Sequence, residues 1–376
     1  MYFYTEEEST VEVTFGKSDP LTYNLSPGGR TVEISTEDLE KITATKKNAK
    51  NGRASIHIVS DNKIQVTISH HDGYSMDATT AMPITSGGHH YMLSSWVDAT
   101  RANIVNTGGR TVVRIIPGND PDGVPYGEET AVLLEEGEVY SIYGHNLSGY
   151  EIIASKNEND LILPGLPPSG DVIENLDCDP LMVYAGNEQG ILSPCYSPSP
   201  RSHMLEAVAP IVTAGKEFVM IPFYDRINTN HRAVVVGLDA DSTLVERTIW
   251  YNDTFSRTIL DTIGRGEYAV YASIHPMVIK AKKPIIASQL QFNQDGCNLN
   301  WQPGEGYGGP MQIDHPSFDQ ATDKAKVFVS RMLDIEKYYF NITIRDEDVP
   351  NFTISPSVPD LEFIELNGTG YSFASV

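Results

Sequence analysis

Polar and apolar residues alternate one by one along several stretches of this chain. Val11-Glu12-Val13-Thr14-Phe15 does so, as do Ile64-Gln65-Val66-Thr67-Ile68-Ser69 and Phe340-Asn341-Ile342-Thr343-Ile344. A period of two puts one set of side chains on a core and the other in water, so each stretch predicts a half-buried strand. In the last stretch Asn341 and Thr343 share the wet face. Turn formers separate the runs: Pro27-Gly28-Gly29, Gly108-Gly109 and Asn119-Asp120-Pro121-Asp122-Gly123. Ser35 to Ile42 reads as one short helix, with Ser35 as its cap and acids in its first turn. Strands do not alternate with longer helical stretches, which argues against a parallel α/β fold. The pattern predicts an all-β protein.

The pattern also recurs. GGHHYMLSSWVDATRANIV begins at Gly87, and AGKEFVMIPFYDRINTNHRAVVV begins at Ala214. Gly88 to Gly215 is a step of 127. EEGEVYSIY around Glu138 returns as GRGEYAVYA around Glu267, a step of 129. YEIIAS from Tyr150 returns as MVIKAK from Met277, again 127. The step then shortens, with Asn187 matching Asn293 at 106, because the earlier copy carries an insertion at about 156–179 that is rich in Pro, Gly and acids. A third copy is partial, from AKVFVSR at Ala325 through FNITIRDED to the end. The expected organisation is the end of a preceding β unit over 1–85, a first full repeat over 86–212, a second over 213–320 and a partial third over 321–376. Units of this length predict tandem antiparallel β-sandwich-like domains, with a β-propeller as the alternative. The chain thus reads as a segment of a longer repeat protein. Its terminal strand-like stretches, STVEVTF and GYSFASV, are expected to pair with each other, with a neighbouring unit or with another copy.

Composition narrows the function. The net charge of −23 makes nucleic acid and anionic membrane poor partners. No apolar run is long enough to span a membrane, and MYFYTEEEST has no signal-peptide pattern. Three cysteines, Cys178, Cys195 and Cys297, lack metal-ligand spacing. Sequons occur at Asn24, Asn146, Asn252, Asn341, Asn351 and Asn367, the first weakened by Pro27. Their number points to secretion and to glycans at the last five, above all at Asn341 and Asn252.

A family resemblance adds to this reading. CDPLMVYAGNEQGILSPCYSPSPRSHMLEAVAPIVTAGKEFVMIPFYDR, then RAVVVGLDADSTLV, then GRGEYAVYASIHPMVIKAKKPIIASQLQFNQDG, resembles the IgG Fc-binding protein N-terminal domain family. The match is clearest from about Asp179 to Asn293, and its motifs are strands and turns. The resemblance implies a secreted or cell-surface protein, found beside mucus- or matrix-associated modules. It carries no residue for Fc binding onto this chain. Family members often keep a Cys close after the Gly-Asn turn, where this chain has Glu188 and Gln189. Cys195 sits where the family's second Cys would. Cys178 and Cys195 flank one loop in a chain that reads as secreted, so a disulfide between them is expected, with Cys195–Cys297 as second choice.

Candidates for chemistry are sparse. No nucleophile elbow or P-loop occurs, and GEGYGG at Gly304 to Gly309 is closed by Pro310 and reads as a loop. The pairs His70-His71 and His89-His90 suggest metal ligands but read better as polar residues at strand ends, so no metal site is expected there. Asp239 to Ser242 and Asn119 to Gly123 offer oxygen ligands for calcium, or ordinary turns. Glu138, Glu217 and Asp225 lie at element ends, where paired carboxylates would serve a glycosidase. Trp301 and Tyr307, in the Gly-rich loop, are the best lectin-type ligand contacts. The leading expectation is an extracellular structural or adhesive protein without catalysis, binding protein or glycan partners through its loops. A lectin-like module and a glycosidase are the alternatives.

Overall fold

The computed structural model describes residues 1–71, 76–97, 99–119, 127–156, 179–190, 202–223, 231–252, 255–291, 310–327, 339–358 and 361–376. The chain is all-β, with antiparallel pairing between every pair of neighbouring strands among the described residues.

The first unit contains β1 (Tyr2–Thr5), β2 (Ser9–Phe15), β3 (Leu21–Leu25), β4 (Gly28–Thr31), α1 (Thr36–Ile42), β5 (Ala49–Lys50), β6 (Ile56–Ser60), β7 (Ile64–His71) and β8 (Met76–Thr80). Two small sheets, ordered β4-β1-β7-β8 and β3-β2-β6, share one core. The strict alternation of β2 explains why: Val11, Val13 and Phe15 are at most 1% exposed, each worth about 1.5–3 kcal/mol of burial. Helix α1 starts where the sequence predicts, because the Ser35 hydroxyl accepts the Asp38 N–H at 3.1 Å.

The second unit has β9 (His90–Met92), β10 (Thr100–Asn106), β11 (Thr111–Ile116), β12 (Thr130–Leu134), β13 (Val139–Gly144), β14 (Glu151–Ser155), β15 (Leu181–Gly190) and β16 (Ser202–Val208). Its sheets run β16-β15-β10-β13-β5 and β12-β11-β14-β9. Ile104, Ile142 and Val183 from the first sheet meet Val113, Leu134 and Ile152 from the other in a single core, the arrangement of a sandwich rather than of propeller blades. Strand β5 belongs to the first unit in sequence but closes the edge of this sheet.

The third unit has β17 (Gly215–Met220), β18 (His231–Gly237), β19 (Thr243–Asn252), β20 (Phe255–Ile263), β21 (Tyr268–Ser273), β22 (Met277–Gln291) and β23 (Met311–Asp314). The early part of β22 lies between β19 and β17, and its later part between β18 and β23. In the second unit β14 lies between β11 and β9, and β15 between β10 and β16. The pairing order is thus the same in both, with β22 doing alone what β14 and β15 do separately. Leu93 hydrogen-bonds Tyr150 across strands, and Met220 pairs with Met277, so this match falls at the step of 127. Thr100 pairs with Asn187 and His231 with Gln291, so Gln291, not Asn293, occupies the position of Asn187.

A last sheet, β24 (Asn341–Arg345), β25 (Ile364–Leu366) and β26 (Tyr371–Ser375), packs Leu366 and Tyr371 on Val219, Ile221 and Val278 of the third unit. The terminal strands are not free edges. β2 lies between β3 and β6, and β26 between β24 and β25, so self-association through STVEVTF or GYSFASV is corrected: their backbone groups on both sides are already paired.

Candidate functional site: a groove at the first joint and buried polar clusters at the second

The outer face of the β16-β15-β10 sheet forms a groove of about 300 Å³. Alternation builds it. Ala102, Ile104, Val183 and Ala185 point into the core, leaving Arg101, Asn103, Tyr184 and Gly186 outside. Register sets Arg101 beside Gly186 and Asn103 beside Tyr184. A Cβ on Gly186 would lie 1.8 Å from the Met204 carbonyl oxygen, so only glycine fits at the centre of this floor. Arg101 donates to the Ala44 carbonyl at 2.7 Å and pairs with Glu188 at 3.0 Å. His70, at the end of β7, stands over His203 with ring centroids 4.4 Å apart and forms the far wall.

Below the groove, β8 lies along β16. The Asp77 carboxylate accepts the Leu205 N–H at 2.7 Å, and the Thr79 hydroxyl accepts the Ala207 N–H at 3.1 Å. Glu206, Asp77 and Asp314 thereby come together from three units. Burial, and then the charges of Asp314 and Asp77, push the Glu206 carboxyl up to about 9. Burial pushes Asp77 up to about 7 and raises Asp314 as well. Ser288 donates to Asp314 at 2.5 Å, and Gln312 donates to the Ser94 carbonyl at 2.9 Å. The cavity reaching Asp314 holds only about 20 Å³, room for a single water.

Beside it, Gln289 donates to Ile221 O and to Nδ1 of His231, each at 2.8 Å, and its Oε1 lies 2.8 Å from Nε2 of His315. Burial holds both histidines neutral, down to about 4.

The second and third units are clamped by Glu151, which lies between His90 and Arg265. Burial alone would raise its carboxyl, but hydrogen bonds from His90 and Arg265 outweigh that and lower it. Gly149 packs so tightly that a Cβ there would sit 2.0 Å from the Gly266 carbonyl oxygen.

A match to a family model spans residues 77–376, which takes in the strands flooring the groove; the family is described as IgGFc binding protein. The chain belongs to the IgGFc binding protein family. Curated proteins returned no match. Among solved structures, vicilin from Solanum melongena is 10% identical, with 54% of this chain and 69% of that chain covered and a TM-score of 0.17. Vicilin from Corylus avellana is 7% identical over 61% and 76%, with a TM-score of 0.17. Oxalate decarboxylase from Bacillus subtilis is 11% identical over 54% and 65%, with a TM-score of 0.16. Likeness at that level carries no argument.

Within this IgGFc binding protein chain, Trp301, Tyr307, Cys178, Cys195, Cys297 and Asp225 lie outside the described residues. Asn252, Asn341, Asn351 and Asn367 are exposed. Asn146 is corrected as a glycan site. It is 4% exposed, its oxygen accepts from Ser95 Oγ and Ser148 N, and its nitrogen donates to the Tyr268 hydroxyl at 2.9 Å, so a sugar has no room. The calcium reading of Asp239 is corrected too. Lys283 Nζ sits 2.6 Å from its carboxylate and occupies the cation position itself. Of the other calcium candidate, only Asn119 is described. Among the described residues no group of three His, Cys, Asp or Glu is placed to hold a metal ion. His90 turns to Glu151 and His70 to His203. Glu138 binds Lys50, and Glu217 accepts from the Tyr371 hydroxyl, so these two carboxylates serve separate joints.

The groove residues Arg101, Asn103, Tyr184 and Glu188 escape sequence reading because they come from separate strands. Their only signal is polarity on the outer face of otherwise apolar strands.

Proposed function

We propose that this member of the IgGFc binding protein family is an extracellular, non-catalytic binding protein built of tandem sandwich copies, and that the groove over β10, β15 and β16 takes a loop of a protein partner. The observation that carries this is the groove itself: about 300 Å³ floored by Arg101, Asn103 and Tyr184, the size range of a recognition pocket. Family membership supports a protein partner, and the exposed sequons support secretion. Asp314, a carboxyl with a raised pKa, adjoins only about 20 Å³, and among the described residues the roomy groove is lined by one carboxylate, Glu188, already held by Arg101. A two-carboxylate glycosidase needs both in one cleft. Glycan binding is the second reading, favoured by the Arg101–Glu188 pair beside Asn103, which offers donors and acceptors side by side for sugar hydroxyls.

The test pairs a surface-binding assay against an immobilised IgG Fc fragment with a glycan array, using the wild-type chain and an Arg101→Ala/Asn103→Ala variant. Fc binding lost in the variant supports the protein reading, and array binding lost in it supports the glycan reading. Binding that survives in the variant places the site elsewhere. Turnover of chromogenic glycosides by the wild type overturns the non-catalytic reading.

A further inference from the structure

Strand β20 is the longest edge strand among the described residues. Its nine residues, FSRTILDTI, pair with β19 on one side only. Seven of them are exposed from Phe255 to Thr262, with Ile259 half-buried and only Ile263 in the core. Phe255 is 56% and Leu260 60% exposed. Edges of this kind are normally blunted by Pro, Lys, a bulge or brevity. β20 has no Pro and no Lys, and the register shift in this hairpin falls between Trp250 and Asn252 on β19. Its counterpart at the edge of the second unit, β12, has five residues, and Lys50 already donates to its Leu133 carbonyl at 3.1 Å. Among the described residues the same position in the fold is therefore closed in one unit and open in the other.

We propose that β20 pairs antiparallel with β20 of a second copy of this chain, about a two-fold axis at Ile259. The occupant follows from charge. β20 carries one cation and one anion, Arg257 and Asp261, equally spaced on either side of Ile259 and on the same face. Antiparallel pairing centred on Ile259 sets Arg257 of each copy opposite Asp261 of the other, Phe255 opposite Ile263 and Thr258 opposite Leu260. Parallel pairing in register would set Arg257 against Arg257, and an antiparallel slip by one residue would leave both charges opposite uncharged groups. Opposite charges directly across a strand pair are favourable and like charges are not. Asp261 already accepts its neighbour's Thr262 N–H at 2.8 Å and lies 3.4 Å from the Tyr271 hydroxyl, so it is oriented before pairing. The contact is isologous, so it closes at two chains and does not grow into a filament.

Sedimentation velocity over a wide range of protein concentration tests this. The wild type is expected to move from monomer to dimer. Arg257→Asp alone, or Asp261→Arg alone, sets like charges opposite one another twice and is expected to raise the dissociation constant by about tenfold or more. The double exchange Arg257→Asp/Asp261→Arg restores the complementary pairs and is expected to restore the dimer. Both side chains are exposed, so folding is not at stake, and circular dichroism checks that. Hydrogen exchange at β20 amides is expected to slow in the dimer. A monomer at every concentration overturns the proposal. So does a dimer indifferent to the single exchanges, since it uses another surface.

Discussion

Arg265 forks onto Glu151, with Nε 3.2 Å from Oε2 while Nη2 reaches Oε1. The carboxylate comes from β14 of the second unit, and the guanidinium from the turn between β20 and β21 of the third. Removing one partner of a buried pair leaves a charge without its counterion. Arg265→Met is expected to destabilise the protein by about 3–5 kcal/mol, and Arg265→Met/Glu151→Gln to recover much of that. Urea unfolding of the three proteins measures it. Equal losses in the single and double variants would show that Arg265 contributes packing alone.

Stability should fall on the alkaline side. Asp77 and Glu206 keep their protons in the folded state up to about 7 and about 9, against ordinary values of 3.8 and 4.5. Their contribution is full below the ordinary values and is lost as pH rises through the folded ones. His231 and His315 act in the opposite sense. Held neutral to about 4 against 6.5, they cost stability as pH falls through that interval. The opposed slopes give a plateau in mildly acid solution and a decline above neutrality. Urea midpoints across pH should show this shape, and Asp77→Asn with Glu206→Gln should flatten the alkaline limb.

Glycopeptide mass spectrometry after expression in a eukaryotic secretory host should find sugar on Asn341 and Asn252 and none on Asn146. Asn341 is exposed at the start of β24; Ser375 Oγ donates to its side-chain oxygen at 2.7 Å, and its nitrogen donates to the Pro222 carbonyl at 3.2 Å, a surface contact that a sugar would displace. Occupied Asn146 would mean that the joint between the second and third units closes after glycosylation, contrary to its packing.

Gly149→Ala and Gly52→Ala make a matched pair. Their φ angles are +81° and +70°, but Gly52 has nothing within 4 Å of a new Cβ, whereas Gly149 faces the Gly266 carbonyl at 2.0 Å. Gly52→Ala is expected to cost about 1–2 kcal/mol for the backbone alone. Gly149→Ala should cost about 1–3 kcal/mol more, because the second and third units must part to admit the methyl group. Thermal denaturation of the two variants compares them, and equal losses would remove the close approach from the account.

Local features were legible in the sequence because local physics decides them. Ser35 announces α1 by its cap, and Val11, Val13 and Phe15 announce β2 by their spacing. The second and third units share a pairing order, which comes from how strands meet and is not written in any one stretch of sequence. What stayed hidden lies between units. Asn146 looked like any sequon, yet its amide spans a joint, and nothing near it in sequence names Tyr268. Asp77, Glu206 and Asp314 meet only after three units dock. The available sign was a polar residue inside an apolar run, as with Glu206 in HMLEAV and Gln289 in IIASQLQ. Such a sign marks a buried polar site without saying who shares it.

β22 runs unbroken through both sheets of its sandwich, where the preceding sandwich uses two strands, β14 and β15. Under a pulling force the two should behave differently. Tension entering β22 loads both sheets along one covalent line, so neither can peel without shearing the other, and rupture should come as a single event. In the preceding unit the β14 and β15 sheets are loaded through separate strands and can give way in turn, as two smaller events. A chain made of both kinds would hold stiffly at one link and yield by stages at its neighbour.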